Sequence, residues 1–428
     1  MTIRFDKTAL LVLGLTAAIS AFSAPASAQS VTLRYLCYAD ANECDVARDL
    51  LDRFEKVNPA IKVTIDKVGF AVIREQLETR LQGGEAPDMA RVTNLGGLNK
   101  YYLDLRPLVN AASWESNFDS TLPWMRVGKD DKGIYGWMTQ LTVTGPFVNK
   151  TMFDQAGVAM PAAGATWDDW AKATGEVQKK LKVYAGMVMD RTGHRFAGPA
   201  ISYGAKYFDA TGAPSAVVDD GFKAMTERMI QWHKDGLMPQ DLWPGAAGAK
   251  WKNAGDMFIN GDVAMQVAGS WMIQKFQSDI GDKFEWIVPA QPCGPAGCSA
   301  MPGGAAMVAF KSTKYPAEVG KVMEFMVSEP ILKEYYERTV QIPAHKALAE
   351  KGLTYGKEVG PATQAALKQF TADFAKISPI AHQLQAYQRN VAIFNATVNY
   401  VAQAITGTLT TPQAYAKIQE EIDNAVKK

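Results

Sequence analysis

The chain has 428 residues, of which 47% are hydrophobic and 21% are charged. This composition is typical of a folded globular protein, and the length predicts more than one compact unit. Because 45 basic and 44 acidic residues nearly cancel, the composition argues against binding to nucleic acid or to an anionic membrane. After the first thirty residues, no uncharged apolar run reaches the length of about 20 residues that a membrane span requires.

Residues 1–28 have the pattern of a secretory signal peptide. Two basic residues precede an apolar run at 9–22, and Ala26-Ser27-Ala28 provides the small-x-small motif that signal peptidase cleaves. The alternative is a buried N-terminal helix, which Pro25 and the small residues beside it disfavour. We therefore expect export to the periplasm and a mature chain that begins at Gln29.

The four cysteines form two pairs that are close in sequence. Cys37 and Cys44 are seven positions apart, and Cys293 and Cys298 are five apart in a turn rich in Pro and Gly. Four cysteines allow three pairings, and two local disulfides are the economical arrangement in an oxidising compartment. Each would contribute roughly 2 to 2.5 kcal/mol by closing a short loop. A metal site is the alternative, but neither pair has CxxC spacing and no histidine is near.

The start of the mature chain alternates between strand and helix patterns. Strand patterns occur at 31–35, 61–68 and 87–92, and amphipathic helix patterns occur at 46–57 and 72–81, the second ending at Gly83-Gly84. This order predicts an α/β fold with a parallel sheet and right-handed crossovers. Ligands of such sheets bind beyond the carboxyl ends of the strands. The loops at 37–43, 69–70 and 93–97 should therefore face a ligand.

The later chain is richer in helix, and no long linker divides it. Helices are predicted at 167–181, 221–234, 317–327, 331–338, 363–374 and 391–405, and short β-like segments at 147–148, 184–188, 263–267 and 306–310. The absence of a linker predicts two lobes that are joined by several chain crossings.

Known catalytic signatures are absent from the sequence. There is no GxxxxGK[ST], GxGxxG, GxSxG or HExxH motif. The histidines at 194, 233, 345 and 382 have no second ligand at metal-binding spacing, and Asp40-Ala41-Asn42 does not continue as a calcium loop. We therefore expect no cofactor, no metal and no catalytic residue. A secreted carbohydrate-active enzyme stays as the alternative, since paired carboxylates can be far apart in sequence.

Several segments, in a consistent order along nearly the whole mature chain, share a pattern with one known family. They are 54–63, 84–89, 135–136, 147–157, 166–170, 258–271, 302–307 and 411–418. Through these segments the chain resembles the family 1 extracellular solute-binding proteins, the maltose-binding-protein-like receptors of bacterial ABC sugar importers. Receptors for a peptide or a metal are disfavoured by the same segments.

The resemblance implies the periplasmic binding protein fold, with two lobes, hinge strands and a ligand cleft between the lobes. The N-terminal lobe would comprise 29–141 and 297–340, and the C-terminal lobe 142–296 and 341–428. A sugar or oligosaccharide would bind in the cleft, and the closed form would dock on the membrane permease subunits. We expect a monomer with no nucleic-acid partner.

One segment departs from the family pattern. Many members have an acidic residue shortly after Tyr-Gly, whereas this chain continues with Trp137-Met-Thr-Gln-Leu-Thr-Val-Thr144. Gln140, Thr142 and Thr144 would therefore provide the hydrogen bonds to hydroxyl groups in place of a carboxylate.

A sugar site combines a few polar groups with an aromatic surface for the C–H face of the ring. Aromatic residues in predicted loops or at element ends are Tyr38, Phe70, Trp137, Trp243, Trp251 and Trp271. Each could instead belong to the core, which is the favoured interpretation for Trp167, Trp170 and Trp232 at helical positions. For Trp271, which follows Gly269-Ser270, the cleft is favoured.

Polar candidates follow the predicted strands. They are Asp40 and Asn42 after the first strand and Thr93 and Asn94 after the third, with turn formation as the alternative role. His194 and Arg195 could bind a carboxylate or sulfonate, or sugar hydroxyls, although a solvated basic loop is the favoured interpretation of the pair. Gly303 and Gly304 would allow close approach of the backbone to a ligand or simply form a tight turn.

Overall fold

The computed structural model describes residues 1–2, 30–128, 130–243, 253–357 and 359–427. The predicted signal peptide and its cleavage before Gln29 lie outside this range, as does Trp251. Among the described residues, no helix is both long and apolar enough to cross a bilayer.

The strands, in chain order, are β1 (Val31–Cys37), β2 (Ile61–Lys67), β3 (Met89–Val92), β4 (Gly136–Asn149), β5 (Ala185–Met189), β6 (Val263–Gly269), β7 (Trp286–Ile287) and β8 (Pro302–Ala309). The helices are α1 (Glu43–Val57), α2 (Phe70–Glu75), α3 (Leu77–Gly83), α4 (Ala111–Asn117), α5 (Lys150–Ala156), α6 (Trp167–Leu181), α7 (Gly193–Ser202), α8 (Asp220–Lys234), α9 (Ala254–Ile259), α10 (Ile273–Ile280), α11 (Pro316–Val327), α12 (Glu329–Arg338), α13 (Lys346–Lys351), α14 (Pro361–Phe374), α15 (Pro379–Ala386), α16 (Asn390–Ile405) and α17 (Thr411–Lys427).

The first sheet begins as predicted and ends differently. β1 pairs in parallel with both β2 and β3, which confirms the strand–helix–strand interpretation of the N-terminal region. β8 then adds to β3, and β4 adds to β8, both antiparallel. The sheet is therefore mixed, because β8 and β4 arrive from distant parts of the chain rather than through a local crossover helix.

The long strand β4 connects two sheets. Its first part, from Gly136 to Val143, pairs with β8, and its second part, from Thr144 to Val148, pairs with β6. β6 pairs in parallel with β5, and β7 pairs with the end of β4. This arrangement of two α/β lobes joined by a crossing strand is the two-lobed fold that the resemblance implied.

All of the helices predicted from periodicity are present, but one is divided in two and several further helices were not predicted. The pattern at 72–81 is split into α2 and α3 around Gln76, and α3 ends at Gly84 with a left-handed φ of 82°. The helices that were not predicted are α4, α5, α7, α9, α10, α13 and α15. In α7 the sequence contains Gly198-Pro199, and eight of its ten residues are buried. Trp167, Trp170 and Trp232 are buried, as expected for core residues.

Both predicted disulfides are formed. The bonds are Cys37–Cys44 and Cys293–Cys298, and no cysteine is free. The first joins the end of β1 to the first turn of α1, so it closes the loop at 38–43 that follows the strand.

Candidate functional site

One wall of the candidate site is built around Arg91 of β3, which is completely buried. Its guanidinium donates to the Tyr38 carbonyl at 3.0 Å and to Oε1 of Gln140 at 2.8 Å. It also contacts the Asp40 carboxylate at 3.3 Å and lies 4.1 Å above the Tyr38 ring. A buried guanidinium requires such partners, since leaving it unpaired would cost several kcal/mol, roughly 3 to 5. Arg91 therefore fixes the loop at 38–43 against β4.

The same loop is also held from within. Glu43, at the start of α1, accepts hydrogen bonds from the backbone N–H groups of Asp40 at 3.0 Å and Ala41 at 2.9 Å. Its other carboxylate oxygen lies 3.5 Å from Arg91. With the Cys37–Cys44 bond, these contacts leave the Asp40 carboxylate at the surface of the wall, where 28% of its side chain is exposed.

The opposite wall is built at the start of α7. The Thr192 hydroxyl caps this helix by accepting from the N–H groups of His194 and Arg195. Arg195 contacts Nδ1 of His194 at 2.7 Å and forms an ion pair with Asp190 at 3.5 Å. The other Asp190 oxygen accepts from Nε2 of Gln266, in β6, at 2.9 Å. The wall therefore contains a carboxylate, a guanidinium and an amide, as the first wall does.

Trp271 follows β6 and supports this second wall. The Arg195 guanidinium lies 4.1 Å above its ring. The six-membered part of the ring packs so closely on Gly269 that a Cβ there would be 1.8 Å from the nearest ring carbon. Trp271 is only partly buried, but the ring face beneath Arg195 is already occupied.

The hinge strands form the floor between the two walls. Thr142 of β4 is opposite Gly303 of β8, and Nε2 of His194 contacts the Pro302 carbonyl at 3.1 Å. A Cβ on Gly303 would lie 3.2 Å from the Thr142 hydroxyl and 3.3 Å from His194. The glycine therefore leaves space where both walls meet the hinge.

Burial governs the ionisation of the site. It raises the pKa of Asp40 and of Asp190, and in each case the neighbouring arginine opposes the shift. Burial lowers the pKa of Arg195, and the carboxylates of Asp190 and Asp40 oppose this. Since Asp40 belongs to the first wall, the two walls are within electrostatic range of each other. Burial and the adjacent Arg195 charge lower the pKa of His194 to about 3, so its imidazole is neutral at physiological pH.

Two buried amides have unused hydrogen-bonding capacity. Nε2 of Gln140 lies near the Asp40 carboxylate but forms no hydrogen bond of normal geometry, and Oε1 of Gln266 has no partner. One is a donor and the other an acceptor. Both side chains are almost completely buried, so these two atoms lie beneath the surface of the walls, whereas the carboxylates of Asp40 and Asp190 are partly exposed.

The structure brings together most of the predicted residues. Tyr38, Asp40, Gln140, Thr142, His194, Arg195, Trp271, Gly303 and Gly304 lie on the two walls or on the floor. Phe70 begins α2 with its ring 5.1 Å from that of Tyr38, and 44% of the residue is exposed. His194 and Arg195 are not in a solvated loop, which corrects that expectation: they form the capped first turn of α7.

Five further candidates occupy structural positions. Trp137 and Trp243 are completely buried, the first edge-on to Tyr335 and the second donating to the Met189 carbonyl at 2.9 Å. Asn42 donates to the Arg338 carbonyl at 3.1 Å. Thr93 and Asn94 are partly buried in the turn after β3, where the Asn94 amide packs against Gly97.

Sequence reasoning missed Arg91, Glu43, Asp190 and Gln266. A signal for Arg91 existed, because a charged residue inside the buried strand at 89–92 needs a partner. No comparable local signal marks the others. Among the described residues, no group of His, Cys, Asp and Glu has the geometry of a metal site.

The crossing strand, the two walls and the floor between them define a two-lobed solute-binding protein. The family model for bacterial extracellular solute-binding protein matches residues 41–331, and the chain belongs to this family. Membership places it among binding proteins rather than enzymes.

Individual relatives agree in fold and length. The multiple sugar-binding protein of Streptococcus mutans is 23% identical over 361 residues, which are 78% of this chain and 81% of that protein. The GacH receptor of Streptomyces glaucescens, solved unliganded and with acarbose, matches with a TM-score of 0.76 at 18% identity, over 93% of this chain and 99% of that one. A solute-binding protein of Thermotoga lettingae bound with alpha-D-tagatose matches with a TM-score of 0.75 at 18% identity, over 92% and 99%.

Proposed function

We propose that this protein is a periplasmic carbohydrate receptor that captures a sugar or oligosaccharide by lobe closure and delivers it to the permease of an ABC importer. The observation that carries this proposal is the pair of partly exposed carboxylates, Asp40 and Asp190, one on each of two walls that lie within electrostatic range of each other. Both carboxylates can accept a hydrogen bond from a hydroxyl group, which is the polar group that a sugar carries around its ring.

The surroundings of these carboxylates support the same ligand class. Asp40 and Asp190 are partly exposed acceptors held by arginines, and such charge-assisted bonds to a ligand hydroxyl are among the stronger hydrogen bonds. Phe70 adds an exposed aromatic ring beside the first wall, which suits the C–H face of a sugar. One relative, the multiple sugar-binding protein of Streptococcus mutans, is named for the same ligand class.

The proposal includes a division of the chain and a location. Residues 29–141 with 297–340 would form the N-terminal lobe, and residues 142–296 with 341–428 the C-terminal lobe. The change of pairing partner within β4, at Val143 and Thr144, supports a boundary in this strand. The mature protein would start at Gln29 and act as a monomer in the periplasm.

A thermal-shift screen against monosaccharides and oligosaccharides tests the function. A ligand that binds only the folded state raises the unfolding free energy by RT ln(1 + [L]/Kd), where [L] is the free ligand concentration. We expect a saturable increase in Tm with at least one sugar, and recovery of that sugar unchanged after incubation. Hydrolysis of the sugar would favour the alternative of a carbohydrate-active enzyme. No stabilisation by any sugar would contradict the receptor.

A further inference from the structure

We infer that the cleft takes sugars that carry no negative charge and excludes acidic sugars such as uronates. This inference rests on the proposed function and names the ligand class more closely. It follows from which charged groups of the two walls are still available to a ligand.

The guanidinium groups are largely occupied by the protein itself. Arg91 is completely buried, and its donors are directed to Tyr38, Asp40 and Gln140. Arg195 has one face on the Trp271 ring, Nη1 against His194 and Nε toward Asp190, with 14% of its side chain exposed. Neither arginine therefore offers the open, forked pair of N–H groups that binds a carboxylate in a bidentate manner.

The carboxylates are the more accessible charges. Asp40 exposes 28% of its side chain and Asp190 exposes 23%, one on each wall. Each pairs with an arginine through a single contact, so both retain lone pairs that can accept from a ligand hydroxyl. A ligand that enters the cleft meets acceptors of negative charge on both sides.

The charge balance of the described site points in the same direction. Asp40, Glu43 and Asp190 face the guanidinium groups of Arg91 and Arg195, and His194 is neutral. The described residues that contact one another here thus carry one negative charge in excess. A carboxylate brought between the walls would be placed against like charges in a poorly solvated cleft, which disfavours its binding.

A competition experiment read by native mass spectrometry tests the inference on the mature protein. The protein is incubated with an equimolar pool of glucose, galactose, mannose and maltose, the amino sugars glucosamine and galactosamine, and glucuronate and galacturonate. We expect retention of neutral or amino sugars and no retained uronate. The variants Asp40→Asn and Asp190→Asn should each raise uronate binding relative to neutral sugar by about tenfold or more, because one like charge is removed.

The control is Asp154→Asn, which removes a carboxylate that pairs with Lys150 on the exposed surface of α5. It should leave the retained set unchanged. Retention of a uronate by the unmodified protein, at a level equal to or above the neutral sugars, would overturn the inference while leaving the carbohydrate function intact. Retention of no sugar at all would overturn the function and the inference together.

Discussion

At the scale of single residues, Trp271 and Arg195 act as one unit. The indole lies between Gly269 and the Arg195 guanidinium, so it holds that arginine in place on the second wall. Because the ring face beneath Arg195 is already covered, removing the ring should weaken sugar binding mainly by releasing Arg195.

We therefore expect Trp271→Ala to lower sugar affinity by at least ~2 kcal/mol, roughly thirtyfold in Kd, as measured by titration calorimetry. Tyr315→Ala, which removes an exposed aromatic ring from outside the described site, should leave Kd unchanged. If Trp271→Ala instead cost ~3 to 5 kcal/mol of unfolding free energy with wild-type affinity, the residue would be a core tryptophan.

Gly303 and Gly304 are adjacent in sequence but should respond differently to the same substitution. Gly304 has a φ of 148°, and a Cβ there would lie 1.9 Å from the Gln140 carbonyl oxygen. Gly304→Ala should therefore disturb the β4–β8 pairing and lower the unfolding free energy by about 2 kcal/mol or more, measured by urea denaturation. Gly303→Ala meets only Thr142 and His194, at 3.2 and 3.3 Å, so we expect near-normal stability and weaker sugar binding. Equal loss of stability in both variants would contradict this assignment.

From the sequence, candidate site residues could be named where a side chain follows a strand that can be recognised. Asp40 and Tyr38 were selected in this way, because β1 and its loop are local in sequence. Arg91 and Gln266 were missed because their partners come from other parts of the chain. Arg91 pairs with Asp40 and Gln140, and Gln266 donates to Asp190.

At the scale of elements, the loop between β1 and α1 depends on its disulfide. Replacing Cys37 and Cys44 together by alanine should lower the unfolding free energy by about 2 kcal/mol and also lower sugar affinity, because the loop at 38–43 holds Asp40. The matched control replaces Cys293 and Cys298, where a comparable loss of stability should leave Kd unchanged. Calorimetry and urea denaturation of both double variants give the comparison, and unchanged affinity in the first would show that Arg91 and Glu43 hold the loop alone.

Helix α8 contains a buried histidine, His233, that should make the unfolding free energy depend on pH. Burial lowers the pKa of His233 to about 4, and its Nδ1 bonds to the Met229 carbonyl at 2.7 Å. The unfolded chain, with a histidine pKa of about 6.5, therefore binds more protons between pH 6.5 and 4. Stability contributed by the neutral imidazole is present above this window and is lost as the pH falls through it, by about 2 to 3 kcal/mol at pH 4.5.

We expect His233→Gln to have a smaller decrease in unfolding free energy than the unmodified protein when urea denaturation at pH 7.5 is compared with that at pH 4.5. The difference between the two pH values is the decisive quantity, because the substitution also changes packing at both. An identical decrease in the two proteins would exclude His233 as a source of the acid sensitivity.

Helices and strands were predicted well where periodicity is local, and least well for β4. All 14 residues of this strand are buried, so it lacks the alternation that marks a strand with one solvated face. Only Phe147 and Val148 were recognised as β-like. The role of β4 as the hinge strand could therefore be identified only from its pairing with β8 and β6, two strands that lie far from it in sequence.

At the scale of the whole molecule, the two walls belong to different sheets that meet at β4. A ligand that bonds to both walls stabilises the closed state, in which the walls are close together. It can shift the equilibrium between the open and closed states only to the extent that it binds the closed state more tightly. Arg195 contacts His194, and His194 in turn contacts the carbonyl of Pro302 in the hinge strand β8. These contacts connect the candidate site to the strands that join the two lobes. Closure should thus be a rigid-body rotation of the lobes with unchanged helices and strands.

We predict that a sugar identified by thermal shift reduces the radius of gyration in small-angle X-ray scattering, while the far-ultraviolet circular dichroism spectrum stays the same. The variant Asp190→Asn provides the matched comparison, because it weakens the bond from the second wall to a ligand hydroxyl. This variant should require a higher sugar concentration for the same contraction. Because the contraction depends on bridging, its midpoint should follow Kd in both proteins. Tight binding with no change in scattering would mean that the cleft is already closed without ligand and that the pocket is rigid.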